Sequence, residues 1–212
     1  ITHHSCDISS NKLFSILSEC DLVIHLAARG NVIDSINDPL INFNDNVFST
    51  IKLLESMRKV NLRRIIFAST GGALMGNTPP PVNENSLPRP ISPYGASKLA
   101  CEGYLNAYGN SFDFETIILR FGNVYGRYSL HKKGVINTWI KNIFNEEVIK
   151  IFGDGNSSRD YIHVNDITEG IIKSIEYIFS SDKNKSKCNT FHLALSNEVT
   201  LNKLLEILQK IT

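Results

Sequence analysis

Apolar runs of strand length alternate along this chain with longer segments of helical period, the pattern of a parallel sheet covered by crossover helices. Asp21 to Ala28 reads as one buried strand, Arg64 to Ala68 as a second and Glu115 to Phe121 as a third. Each is nearly continuous in Val, Ile, Leu or Phe, as expected when helices cover both sheet faces. Val148 to Phe152, Arg159 to Val164 and Thr190 to Leu193 are shorter candidates. The fold class is therefore α/β, a doubly wound parallel sheet.

The connecting segments carry helix punctuation. Asp38-Pro39 supplies an N-cap and a first-position proline for a helix predicted to reach about Lys59, and Ser92-Pro93 repeats the device. Tyr94, Lys98, Cys101, Leu105 and Tyr108 then follow at helical spacing. Asn165 or Asp166 opens a third helix and Thr200 a last one, Leu201 to Ile211. Gly71 to Arg89, rich in Pro, Asn and Gly, is too long for a tight turn and reads as an active-site loop. A complete dinucleotide-binding unit opens with a strand, a glycine-rich turn and a helix N-terminus. Gly30 is the first glycine here, so the sequence reads as lacking the opening βαβ unit, with a C-terminus that also stops early.

Charge and cysteine usage narrow the partners. Lys plus Arg (22) nearly balance Asp plus Glu (21), leaving no overall basic field for nucleic acid or an anionic membrane. No apolar run approaches the ~20 residues that span a bilayer. Cys6, Cys20, Cys101 and Cys188 are widely spaced, so they read as reduced and structural, and the default location is cytoplasmic. The adjacent His3 and His4 point different ways and have no further ligands beside them, so no metal is assigned. A small molecule is the expected partner.

The chemistry centres on Tyr94-Gly95-Ala96-Ser97-Lys98. A spacing of four puts phenol and ammonium on one helical face, where the cation can lower the phenol pKa and let it act as general base and acid. Taken alone, such a pair is more often a core tyrosine beside a solvated lysine. The context differs: Phe67-Ala68-Ser69-Thr70-Gly71-Gly72 places hydroxyls at the carboxyl end of a strand, where open α/β sheets bind ligands. Spacing does not choose between Ser69 and Thr70.

Five ordered segments, DLVIHLAA (21–28), FASTGGALMG (67–76), SPYGASK (92–98), LRFGNVYGR (119–127) and IFGDGNSSRDYIHV (151–164), resemble the extended short-chain dehydrogenase/reductases that act on nucleotide sugars. Among these, the chain is most similar to UDP-glucose 4-epimerases. The resemblance implies a partial NAD-binding Rossmann-like domain over 1–133 and a mainly substrate-binding region over 134–212, interleaved with it. It makes Tyr94 the catalytic base, Lys98 the residue that lowers its pKa and holds the nicotinamide ribose, and Thr70, with Ser69 beside it, the hydroxyl partner. On the cofactor side it implicates Asp7 and Ile8 at adenine, Ala27, Ala28 and Arg29 along the pyrophosphate and ribose, Asn46 near the cofactor, and Gly122 near nicotinamide. On the substrate side it implicates Asn123 and Arg159 at the diphosphate, and Val135, Ile151 and Phe152 beside the base. Arg159 could equally form an ion pair with Asp154 or Asp160.

The implied reaction is 4-epimerisation of a UDP-hexose with NAD by a homodimer paired through Asp38 to Lys59 and Ser92 to Tyr108. Same-family alternatives are a dehydratase, a decarboxylase or a reductase. Gly71-Gly72 stands where the dehydratases carry Asp-Glu, which disfavours dehydration. A catalytically silent nucleotide-sugar-binding protein is the reading from another class. Met75 stands where the family usually has Tyr, and Arg29-Gly30 also departs from the usual residues.

Overall fold

The structure is a computed structural model that describes residues 1–8, 10, 12–129, 132, 134–181 and 186–211. In chain order the first elements are α1 (Leu13–Leu17), β1 (Val23–His25), α2 (Val32–Asn37), α3 (Pro39–Phe43), a π-helical turn (Asn44–Phe48) and α4 (Ser49–Lys59). These are followed by β2 (Arg64–Thr70), α5 (Gly72–Met75), α6 (Pro93–Phe112), β3 (Glu115–Phe121) and β4 (Asn123–Tyr125). The last are α7 (Val135–Phe144), β5 (Ser158–His163), α8 (Val164–Phe179), β6 (Cys188–Leu193), β7 (Glu198–Thr200) and α9 (Leu201–Ile211). The chain divides into two compact units, residues 1–120 with 171–192, and residues 121–170 with 193–212.

The first unit is built on a four-stranded parallel sheet in the order β1-β2-β3-β6. β1 pairs with β2 in the register Val23 to Ile65 and His25 to Phe67. Strand alternation sends Ile65 and Phe67 to one face, where they join Leu53, Leu54 and Met57 of α4 and Cys101, Leu105 and Tyr108 of α6 in the main core. Arg64, of opposite parity, lays its guanidinium over Phe179 of α8, 4.8 Å from the ring centroid. Helices thus cover both faces, as the continuous apolar strands require. The second unit holds a small sheet in which β5 pairs parallel with β4 and antiparallel with β7. Its core is Trp139, Leu204 and Leu208, from amphipathic α7 and α9.

Several sequence expectations are revised. The strand expected over Asp21 to Ala28 is hydrogen-bonded only from Val23 to His25, and Leu26 to Ala28 leave the sheet as exposed backbone. Val148 to Phe152 forms no strand: Ile149 and Ile151 pack against the Trp139 cluster while Val148 and Phe152 face outward without a ladder partner. The Asp38-capped helix does run to Lys59, Asp38 accepting from the Ile41 amide at 2.9 Å, but a π-turn interrupts it at Asn44–Phe48. The third helix starts at Val164, directly after β5, so Asp166 lies in its first turn and does not cap it. The Gly71 to Arg89 loop contains the short α5.

His25 gives the fold a pH dependence. It is buried on β1, shares a 3.0 Å hydrogen bond with Thr50 and packs against the Phe67 ring. Burial, and secondarily the Lys98 charge, holds its pKa down at about 4 against an ordinary 6.5. The folded chain therefore keeps His25 neutral where the unfolded chain protonates it. Stability should fall by about 3 kcal/mol from this group as pH drops from about 6.5 to about 4. Urea unfolding across that range checks it: His25→Gln should flatten the slope, and an unchanged slope would contradict the assignment.

Candidate active site

The carboxyl end of β2 meets the first turns of α6, and the local sequence fixes that helix start tightly. The Ser92 hydroxyl accepts from the Gly95 amide at 3.1 Å, and Pro93 occupies the first helical position. The Tyr94 amide donates to Ser35 of α2, a fully buried hydroxyl, at 3.1 Å. Gly95 lies so close to the Ala73 carbonyl that a Cβ at this position would collide with it. Tyr94 is thus held by its own backbone and by α2 and α5 before its side chain makes any contact.

Its phenol lies beside the hydroxyl of Thr70, the last residue of β2. Burial raises the phenol pKa, while Thr70 acts in the opposite direction. Beyond the hydroxyl lies Gly30, where an added Cβ would sit 4.0 Å from the phenol oxygen and near no other atom. Ala27 and Ala28, between the end of β1 and Gly30, are exposed.

Lys98, one turn on, is 3% exposed. Its ammonium donates to the Ala68 carbonyl at 2.8 Å and sits over the Phe67 ring, 4.5 Å from the centroid. Burial lowers its pKa from 10.5 to about 8, with Cys101 and Glu102 acting upward. The spacing predicts that Lys98 lowers the Tyr94 pKa; here burial dominates the phenol, because the ammonium is turned to the end of β2.

Ser69 and Thr70, which spacing left equivalent, separate sharply. Ser69 is buried and donates to Glu102 of α6 at 2.5 Å, and Glu102 is gripped by Arg120 of β3 through contacts of 2.7 to 3.3 Å. Arg120 also meets the His192 ring at 3.3 Å, and the His192 amide donates to Glu84 at 2.8 Å. Only Thr70 of the two lies beside the phenol.

Asn46 falls in the π-turn, a local widening of the helix frequent at functional sites. Its Oδ1 accepts from the Arg29 amide at 2.7 Å, and its Nδ2 donates to the Arg29 carbonyl at 3.2 Å and to Ser97 at 3.1 Å. Asn46 therefore clips the end of β1 to the helix that bears Tyr94. The Arg29 guanidinium pairs with Asp45 at 2.7 Å on the surface. Asp7 is exposed and Ile8 half-buried near the start of the chain.

In the second unit, Gly122 donates to the Leu193 carbonyl at 2.9 Å, and the exposed Asn123 to the Asp160 carbonyl at 3.3 Å. Arg159 is exposed and donates to Ser157 at 3.0 Å and to the Ser158 carbonyl at 2.6 Å. The carboxylates weighed as its partners are engaged elsewhere: Asp154 accepts from Asn156, and Asp160 from the Leu195 amide. Val135 and Ile151 pack on the Trp139 core, whereas the Phe152 ring is 86% exposed. Among the described residues there is no group of His, Cys, Asp or Glu that could hold a metal, and no helix is long and apolar enough to cross a membrane.

Sequence reasoning missed Ser35, Glu102 and Arg120. Two signals were available: Glu102 continues the Tyr94, Lys98 spacing on the buried face of α6, and Arg120 interrupts the most apolar strand of the chain.

Residues 2–189 match the profile of the NAD dependent epimerase/dehydratase family. A UDP-glucose 4-epimerase of Mycolicibacterium smegmatis is 36% identical over 174 residues, 79% of this chain and 55% of the relative. The crystal structure of a UDP-glucose 4-epimerase from Thermotoga maritima with UDP-glucose superposes with a TM-score of 0.88 at 30% identity, over 99% of this chain and 67% of that one. A UDP-N-acetylglucosamine 4-epimerase from Methanobrevibacter ruminantium in complex with UDP-N-acetylmuramic acid gives 0.87 at 34% identity, over 97% of this chain and 64% of that one. The chain spans 55% to 61% of the length of the first curated relatives it matches.

Proposed function

Because the chain belongs to the NAD dependent epimerase/dehydratase family, we propose that it contributes the catalytic residues for NAD-dependent 4-epimerisation of a UDP-hexose. The observation that carries this reading is the Thr70 to Tyr94 hydroxyl pair, with buried Lys98 one turn away, at the carboxyl end of a parallel sheet strand. Relatives named as epimerases of UDP-glucose, UDP-glucuronate and UDP-N-acetylglucosamine support it.

The residues at the end of β1 fit a dinucleotide. Ala27, Ala28 and Gly30 carry at most a methyl group and are exposed, and Gly30 lies by the Tyr94 hydroxyl. Asp7 and Ile8 would serve the adenine end, Ala27 to Arg29 and Gly122 the rest of the cofactor, with Asn46 holding Arg29 in place. NAD, when bound, supplies the hydride acceptor for oxidation at C4 and returns what it took, so the net reaction is isomerisation.

Tyr94, as tyrosinate, takes the proton of the sugar 4-hydroxyl, and Thr70 holds that oxygen in line through its hydroxyl. Thr70 acts against the burial that raises the phenol pKa, and Lys98, with a pKa of about 8, is mostly protonated at neutral pH, its ammonium on the Ala68 carbonyl at the end of β2. The 4-keto sugar turns about its diphosphate link while Asn123 and the exposed Arg159 guanidinium hold the diphosphate. Tyr94 then returns the proton. Phe152 offers an exposed ring to the base, beside Val135 and Ile151. Gly71-Gly72 supplies no acid or base after Thr70, which favours epimerisation over dehydration. We further propose a cytoplasmic homodimer paired through the α3 to α4 helix and α6, which expose Leu40, Phe43, Phe48 and Tyr104.

The reading is tested by incubating the intact protein with UDP-glucose, UDP-galactose and their N-acetyl forms, then resolving the products. Interconversion of at least one pair is expected. Turnover confined to another nucleotide sugar would remove the substrate assignment.

A further inference from the structure

The end of β2 is held from below by a charge pair that the proposed chemistry does not use. Glu102 is 3% exposed and Arg120 is 7% exposed. They join α6 to β3 through a forked contact, with Arg120 Nη2 2.7 Å from Glu102 Oε2. Glu102 Oε1, which also receives Arg120 Nε at 3.1 Å, accepts from the Ser69 hydroxyl at 2.5 Å. Burying two charges is favourable only where geometry and further hydrogen bonds are satisfied. Here they also lock three elements into one arrangement directly beneath Thr70, Tyr94 and Lys98.

Resting on the epimerase reading of Tyr94 and Thr70, we infer that Glu102 is a positioning residue: it holds Ser69, and thereby the end of β2, so that the Thr70 hydroxyl meets the Tyr94 phenol, and it sets a carboxylate one helical turn below the Lys98 ammonium. Ser69 is then part of the support and not a proton relay, since its proton is committed to Glu102. The groups facing Lys98 are Cys101 and Glu102 on its own helix, His25 on β1, Arg120 on β3 behind Glu102, and the Ala68 carbonyl and Phe67 ring of β2. Glu102 is the one carboxylate in that set, and it offsets Arg120. The chain of contacts continues through His192 to Glu84, so the loop after α5 is tied to the same device.

The test compares Ser69→Ala, Glu102→Gln, their double variant and Thr70→Val in the intact protein, each checked for folding by thermal unfolding. Ser69→Ala and Glu102→Gln should each lower kcat by about 10- to 100-fold, as misplacement of a reacting group does, with little change in KM. The double variant should be no worse than the worse single, because both cut one linkage. Thr70→Val should cost more than Ser69→Ala.

A readout free of turnover comes from the lysine side-chain NMR titration, with Lys98 assigned through Lys98→Arg. The Lys98 midpoint should fall by about one pH unit in Glu102→Gln, where Arg120 is left uncompensated, and stay put in Ser69→Ala. Additive losses, an unchanged kcat, a larger loss from Ser69→Ala than from Thr70→Val, or an unmoved Lys98 midpoint in Glu102→Gln would each overturn the inference. If Glu102→Gln does not fold, the Thr70 methyl resonance decides: it should shift in Ser69→Ala, and no shift overturns the claim. An inactive wild type would refute the epimerase reading, while the titration and the methyl resonance would still decide the role of Glu102.

Discussion

Tyr94→Phe should lower turnover by about 10²- to 10⁴-fold, the range that a positioned general acid and base contributes, while the protein stays folded. The substitution removes one oxygen. It leaves the Ser92 cap, the Ser35 contact and the close fit of Gly95 on Ala73 untouched, because all three act on the backbone of α6. The loss should therefore appear in kcat with little movement of KM, measured by product analysis on the preferred substrate. Turnover within a few-fold of wild type would exclude the phenol as the base.

The largest expected stability effect lies at Arg120. Arg120→Met leaves the Glu102 carboxylate buried without its partner and should cost about 3–5 kcal/mol in urea unfolding. Replacing both residues by apolar side chains of similar volume, Glu102→Leu with Arg120→Met, should restore much of that loss, since neither charge then remains in the interior. A double variant as unstable as the single one would mean that the pair contributes through shape and not through charge balance.

How far the sequence carried these conclusions depended on how local each signal was. The start of α6 was legible because a serine cap, a following proline and a buried-face repeat lie within a few residues of each other. β2 and β3 were legible because strands covered on both faces stay apolar throughout. The π-turn at Asn44–Phe48 was not, since the helical periodicity runs through it, and the contacts that Asn46 makes there are to Arg29 and Ser97, remote in sequence. Val148 to Phe152 misled for a related reason: a short apolar run reads as a strand, but Ile149 and Ile151 pack on the Trp139 cluster with no ladder partner.

Within the site, spacing placed Tyr94 and Lys98 on one face of α6 while their roles rested on the resemblance, and the choice between Ser69 and Thr70 was not legible, because it rests on Glu102, 33 residues away in sequence. Arg120 was visible as a charge in an apolar strand, but its meaning appears only when its partner is known. For the residues expected at the substrate, the resemblance gave chain position, whereas a contact such as that of Asn123 with the Asp160 carbonyl joins positions that no local rule couples.

The central claim is a transient oxidation at C4 that begins at the Tyr94 phenol. It is tested most directly by converting a UDP-hexose carrying deuterium at C4 and locating the label in the epimerised product. Retention of deuterium at C4 of the product, together with slower turnover than the unlabelled sugar and loss of both signals in Tyr94→Phe, is the expected result. Product in which C4 has exchanged its label with water, or label-bearing product formed equally fast by Tyr94→Phe, would contradict it.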